Sequence, residues 1–169
     1  IVGGGPCVYN TEPIADFFDF FIVGEGEELI CETVDVFRSW QEAGKPEGRQ
    51  GLLKRLAVLD GIYVPSFYNV TYNQQGLFAD IEPACPEAKP VIYKRLIKDM
   101  DSVRFVEKPV LPYIDIVHDR IMLELFRGCT RGCRFCQAGT SYRPVRERSK
   151  DRLRELARKL IDSTGYNEM

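Results

Sequence analysis

One histidine, one tryptophan and three methionines occur among the 169 residues, and nowhere does the chain run apolar for the ~20 residues that a membrane helix requires. The opening residues carry neither the basic nor the apolar region of a secretory signal, so a cytoplasmic, reducing compartment with no membrane partner is the expectation. With 44% hydrophobic and 28% charged residues, the chain is not built for disorder and can bury a sizeable core. Internal repeats and low-complexity tracts are missing. So are a Gly-x-Gly-x-x-Gly opening a helix after a first strand and a phosphate loop with its Lys and Ser or Thr, which leaves phosphate cradling with little support. The glycines of "GGGP" and "GEGEE" read instead as tight turns at strand ends. "IVGGGP" at the start and "GYNEM" at the finish look like interrupted elements, and the expectation is an internal segment of a longer protein.

Six cysteines are present. In a reducing compartment they seldom form a disulfide framework, and clustered thiols more often bind metal or do chemistry. Three fall within eight positions in "RGCTRGCRFCQAG", residues 127 to 139, with the spacing C-x3-C-x2-C at Cys129, Cys133 and Cys136. Glycines at 128, 132 and 139 permit the sharp turns that would let these thiolates converge. A structural zinc site wants four ligands, and a ferredoxin cluster wants four cysteines. No fourth lies nearby; Cys7, Cys31 and Cys85 sit in apolar or Pro-rich surroundings, where a free cysteine behaves as a small buried hydrophobe. Three thiolates on a 4Fe-4S cluster would leave one iron open for a ligand. Spacing alone leaves a zinc site completed elsewhere, by His118 or another residue, as the alternative. His118 itself reads better as a strand-edge polar residue, with Asp119 beside it as a hydrogen-bond acceptor for the imidazole.

Along the chain the pattern predicts an α/β protein. "IVGGGP" ends a strand, "EPIADFF" suits a short helix, and "DFFIVG" is the continuous apolar run of a buried parallel strand. A helix follows, with Leu29, Ile30, Thr33, Val34, Phe37 and Trp40 at helical spacing and Gly44 as its stop. Such alternation predicts the closing, C-terminal part of a doubly wound domain over residues 1–44. "GKPEGRQG" reads as a linker or surface loop near a domain boundary, and residues 45–117 as a β-rich connector. Within it "LLKRLAVLDG" suits a short helix, "IYVPSFYNVTY" and "LFADIEP" a hairpin turning at "NQQG", and "PVIYKRLI" a further strand. From residue 118 onward, "DRIMLELFRG" predicts a strand entering the cysteine loop. "SKDRLRELARKLIDSTG" then predicts a helix with Ser149 as N-cap, Gly165 as stop and Leu153, Leu156, Ala157, Leu160 and Ile161 as one stripe.

The net charge of −2 conceals a division: residues 127 to 159 carry eleven Lys or Arg against three acids. Such a block marks either a phosphate-rich partner or a solvated helix face with counter-charges for an anionic site. Beyond Tyr142 the run "RPVRERSKDR" has no interleaved aromatic for stacking on bases, so electrostatic contact with RNA is the form of nucleic-acid binding left open.

The segment "C-TRG-C-RF-C" resembles the signature of the radical S-adenosylmethionine superfamily, C-x3-C-x-aromatic-C, with Phe135 as the aromatic. "HDRIMLELFRGCTRGCRFCQAGTSYRPVRERS" looks very like a functionally unassigned subfamily of it, and "GGPCVYNTEPIADFFDFFIVGEGEE" is similar to the end of that subfamily's N-terminal, Rossmann-like cobalamin-binding-type domain. The resemblance implies that Cys129, Cys133 and Cys136 hold a 4Fe-4S cluster whose open iron chelates S-adenosylmethionine, with Phe135 contacting the adenosyl end. It further implies reductive cleavage to a 5'-deoxyadenosyl radical, a one-electron reductant such as flavodoxin or ferredoxin, and residues 118–169 as the first strand-loop-helix unit of a partial (β/α) barrel. Cobalamin stays undecided, since the Asp-x-His-x-x-Gly lower-ligand motif of cobalamin-binding relatives is not matched by His118. The reading in a different class is a zinc-stabilised basic module that contacts RNA without catalysis.

Overall fold

The computed structural model describes residues 1–114, 116–118 and 120–169, which fall into two compact units, Ile1–Leu96 and Ile97–Met169. No helix among the described residues is long and apolar enough to cross a membrane.

The first unit is organised by β2 (Phe20–Ile22), which pairs parallel with β1 (Val2–Gly3) and antiparallel with β3 (Ile62–Tyr63). Side chains alternate across a strand, and here both faces are covered. Phe20 packs into a cluster with Leu29, Leu53, Leu56, Ile62 and Val64, whereas Phe21, wholly buried, meets Val8, Val23 and Tyr63 on the other side. The apolar run therefore stands as expected of a strand buried on both faces. A 3-10 turn at Glu12–Phe17 occupies the expected short helix, and Tyr63 Oη donates to Glu12 Oε1 at 2.6 Å from beside the sheet.

Helix α1 (Gly26–Glu42) begins with Glu27 and Glu28, whose carboxylates suit the positive end of the helix dipole. Its packed stripe is rotated from the expected one. Leu29 and Trp40 are buried and Val36 joins the core, while Ile30, Val34 and Phe37 are 40–54% exposed. The spacing of three and four was right, but two adjacent apolar rows satisfied it and only one meets the sheet.

Residues 44–51 are not a linker between separate bodies. Helix α2 (Gly48–Ala57) starts inside them and sets Leu53, Leu56 and Ala57 in the same core as Leu29, and β3 then joins the sheet of β2. The boundary drawn at residue 44 thus lies inside one compact unit. The hairpin is as expected, β4 (Tyr68–Tyr72) pairing antiparallel with β5 (Phe78–Pro83). Between β5 and β6, the described residues form no helix or ladder strand; "PVIYKRLI" contributes only a single parallel bridge, Gly24 to Arg95. That bridge explains one glycine of "GEGEE". Gly24 has φ +104°, and a Cβ there would stand 2.3 Å from the Arg95 carbonyl oxygen. The Arg95 guanidinium donates to Glu28 at 3.1 Å and also pairs with Glu32, so it is fastened to the first turns of α1.

Of the second unit, β6 (Phe126–Arg127) pairs antiparallel with β7 (Arg146–Glu147), and a short helix α3 (Ala138–Ser141) lies between them. The expected strand is thus much shorter than "DRIMLELFRG", because its only ladder partner among the described residues is this two-residue stretch. Helix α4 (Lys150–Thr164) matches expectation at both ends: Ser149 Oγ accepts from Arg152 N–H at 3.2 Å, and Gly165 closes the helix at φ +75°. Leu156 and Leu160 are buried, with Ile161 turned outward at 46% exposure. After α4 the chain returns beside the approach to β6, where Ile121 N–H donates to the Glu168 carbonyl at 3.0 Å.

Because Leu56 is 1% exposed and Ile30 is 54% exposed, Leu56→Ala should cost the first unit about 2–5 kcal/mol and Ile30→Ala no more than about 0.5 kcal/mol. Denaturant unfolding followed by Trp40 fluorescence measures both. Equal losses would mean that the rotated stripe is misassigned.

Candidate metal centre

The cysteine loop hangs between β6 and α3 and is closed at its base by backbone packing. Gly128 at φ +104° lets its strand end pass so close to the returning chain that a Cβ would lie 2.6 Å from the carbonyl oxygens of Tyr142 and Pro144. At the far side, Cys136 N–H donates to the Cys133 carbonyl at 3.1 Å, and Tyr142 N–H closes α3 onto Ala138. Gly132, at the tip, has nothing within 4 Å of where a Cβ would stand. The loop is thus pinned at its base, and the Arg131 carbonyl packs close to Gly139, which leaves Gly132 as the point with open space around it.

All six cysteines are free thiols. Cys129 and Cys136 are partly buried, Cys133 is exposed, and Phe135 is 94% exposed. Of the three cysteines read as buried hydrophobes, Cys85 packs against the core, but Cys7 and Cys31 are exposed; local apolar neighbours in sequence did not translate into burial. Among the described residues, no three His, Cys, Asp or Glu side chains are gathered closely enough to hold a metal ion. By kind and number the donors on the loop fit a three-thiolate cluster site, and their spacing on a loop with an open tip is compatible with closure around one. His118 lines a cavity of about 950 Å³ with Ile116, Ile121 and Leu160, within the second unit. Asp119, named as its partner, lies outside the described residues.

Beneath the loop lies a polar cluster that the sequence did not single out. Arg148, whose side chain is fully buried, donates to Glu124 Oε2 at 2.9 Å and to the Glu124 carbonyl at 3.2 Å, and it also donates to the Met100 carbonyl. Its guanidinium stacks 5.3 Å from the Phe105 ring centroid. Arg127 takes the other carboxylate oxygen at 2.7 Å. Arg127 belongs to β6, and Arg148 directly follows β7, so one carboxylate ties together both strands that carry the loop. Burial alone would raise the Glu124 pKa, but the hydrogen bonds and charges of Arg127 and Arg148 outweigh it and hold the carboxyl below its ordinary value. The only available sequence signal was an acid three residues before Arg127 in an otherwise apolar run.

The basic block divides by element. On α4, Arg152 pairs with Glu155 at 2.7 Å, Arg154 with Asp151 at 3.3 Å, and Lys159 with Glu107 and Glu155 at 2.8 and 2.7 Å. These are counter-charged surfaces rather than a continuous basic track.

Residues 1–65 match the family model described as "Radical SAM proteins, N-terminal". That stretch ends just after β3, so it takes in the whole three-stranded sheet with α1 and α2. The chain is also similar to an uncharacterized protein of Methanocaldococcus jannaschii, 27% identical over 179 residues that cover 99% of this chain and 30% of that protein. The chain therefore spans less than a third of the length of this curated relative. No solved structure matches. The match is thus to the N-terminal region of radical S-adenosylmethionine proteins, a family whose members in general use a 4Fe-4S cluster, S-adenosylmethionine and a reductant.

The sign of the Glu124 effect sets a pH dependence. A carboxyl with a lowered folded pKa contributes stability above its unfolded value, near 4.5, and that contribution is lost as pH falls through the folded value. Glu124→Gln should flatten this acid limb, and it should cost the second unit about 3 kcal/mol at neutral pH by leaving Arg148 buried without its anion. Circular dichroism melts from pH 7 down to 3 provide the check; an unaltered acid limb would remove Glu124 from this role.

Proposed function

We propose that this chain is the cluster-bearing segment of a radical S-adenosylmethionine enzyme, with Cys129, Cys133 and Cys136 as ligands of a 4Fe-4S cluster. The observation that carries the proposal is three free thiols on one loop, without a fourth near them, in a chain whose first 65 residues match the N-terminal family of radical SAM proteins. When bound, the cluster would supply the single electron that cleaves S-adenosylmethionine to a 5'-deoxyadenosyl radical.

The chain's own residues have three tasks in this reading. As thiolates, the three cysteines would hold the cluster, and the space around Gly132 would allow the loop to bring them together. Arg127, Glu124 and Arg148 keep the two ends of the loop in register so that closure is local. Phe135, exposed beside Cys136, offers a flat apolar face to the adenosyl end of S-adenosylmethionine. The hydrogen bond from Ile121 to Glu168 supports reading β6, the loop and α4 as the first turn of a (β/α) barrel, with the next strand arriving alongside. In the same proposal, residues 1–44 are the end of a cobalamin-binding-like domain that shares its compact unit with α2 and β3, in a cytoplasmic protein.

Anaerobic reconstitution with iron and sulfide should give a brown 4Fe-4S protein. Replacement of Cys129, Cys133 and Cys136 together by Ala should reduce iron and sulfide to background, whereas replacement of Cys7, Cys31 and Cys85 should leave both unchanged. Normal loading of the first variant, or a colourless zinc-containing product from the unaltered chain, would sink the assignment.

Titration of the chain with hydroxocobalamin should show no saturable change in absorbance, since its only histidine is outside any lower-ligand motif. Stoichiometric binding would show that the first unit holds the corrinoid by other means.

A further inference from the structure

Within the first unit, the 3-10 turn of Glu12–Phe17 and strand β4 share the lining of a cavity of about 470 Å³. Alternate residues of β4, Tyr68, Val70 and Tyr72, belong to that lining, as one face of a strand should. Phe18 joins them, and the aromatic side chains are held from behind. Ring centroids follow one another at 4.7 Å from Phe18 to Phe21, 6.3 Å from Phe21 to Tyr63 and 4.9 Å from Tyr63 to Tyr68. Phe21 and Tyr63 are buried, and Tyr68 Oη donates to the Lys89 carbonyl at 2.8 Å, so Phe18 and Tyr68 are fixed before any ligand arrives. Tyr72, 56% exposed, is the freer ring. Two carboxylates line the same cavity. Glu12 accepts from Tyr63 through Oε1 and keeps Oε2 for a further donor, and exposed Asp16 makes no hydrogen bond or ion pair among the described residues. Arg49, the cation on the lining, is already paired with Asp19.

We propose that this cavity binds a small aliphatic ammonium compound, with charge taken by Glu12 and Asp16 and the alkyl chain lying along Phe18, Tyr68 and Tyr72. Carboxylates select for a cation, and aromatic rings both attract an ammonium group and cover methylenes from water. An anion would meet two negative charges with the neighbouring guanidinium already engaged. A metal ion would find too few donors, since no three His, Cys, Asp or Glu side chains among the described residues are gathered closely enough to hold one. The site is confined to the first unit and does not depend on the cluster reading.

The probe is cadaverine, a short alkyl diammonium ion, titrated into the protein while the ring signals of labelled tyrosines are followed by nuclear magnetic resonance. The Tyr68 and Tyr72 signals should move and saturate, less tightly as salt is added. Asp16→Asn should weaken binding by about threefold, and Glu12→Gln with Asp16→Asn by about tenfold. Tyr72→Ala should weaken it by about threefold, with Tyr72→Phe close to the unaltered protein. Asp16 and Tyr72 are exposed, so their single variants keep the fold by circular dichroism and carry the test even if loss of the Tyr63 partner unsettles Glu12→Gln. Absence of saturable shifts at Tyr68 and Tyr72 would overturn the proposal. So would undiminished binding in both Asp16→Asn and Tyr72→Ala. Equal binding of pentanediol, which has the same chain without charge, would make the cavity an apolar slot, and displacement of cadaverine by magnesium at matched ionic strength would make it a metal site; either result overturns the ammonium assignment.

Discussion

The second unit depends on one buried guanidinium. Arg148 has no solvent of its own, and its donors are divided among the Glu124 carboxylate, the Glu124 carbonyl and the Met100 carbonyl, with a phenyl ring over its face. A buried charge is tolerated only when it is paired and hydrogen-bonded this fully. Because Glu124 precedes the loop and Arg148 follows it, the requirement to satisfy that charge fixes where the loop begins and ends. Two-residue strands such as β6 and β7 could not do so by their ladder alone.

That division of labour leaves the cysteine loop with a firm base, and with Gly132 at its far end clear of neighbouring atoms. Gly128 provides close backbone approach at the base, and Gly132 provides freedom at the tip. Thiols held in this way need not be assembled before the metal arrives, because binding free energy from thiolate ligation can meet the cost of ordering a short segment.

Much of this was legible in the residues, and the exceptions have physical causes. The buried strand at Phe20–Ile22, the hairpin and both ends of α4 were readable because apolar runs, turn residues and caps are local signals. The orientation of α1 was not, since Ile30, Val34 and Phe37 share the spacing of the row that packs and only the sheet's position chooses between them. Polar composition made residues 44–51 resemble a linker, although tertiary contacts draw α2 from them. The spacing of Cys129, Cys133 and Cys136 was plain in the sequence. The Glu124 and Arg148 cluster was not, because its members are separated by the whole loop they support.

The single bridge between Gly24 and Arg95 bears on the order in which the first unit is completed. Arg95 brings the counter-charge for Glu28 and Glu32, yet it follows the sheet, both helices and the hairpin in the chain. During synthesis, α1 must therefore pack with two exposed carboxylates on its flank and wait for its cation until the last residues of the unit have emerged. The contact works as a latch that closes after the core has formed, so its loss would be felt in how long the finished unit stays shut more than in how fast it collapses.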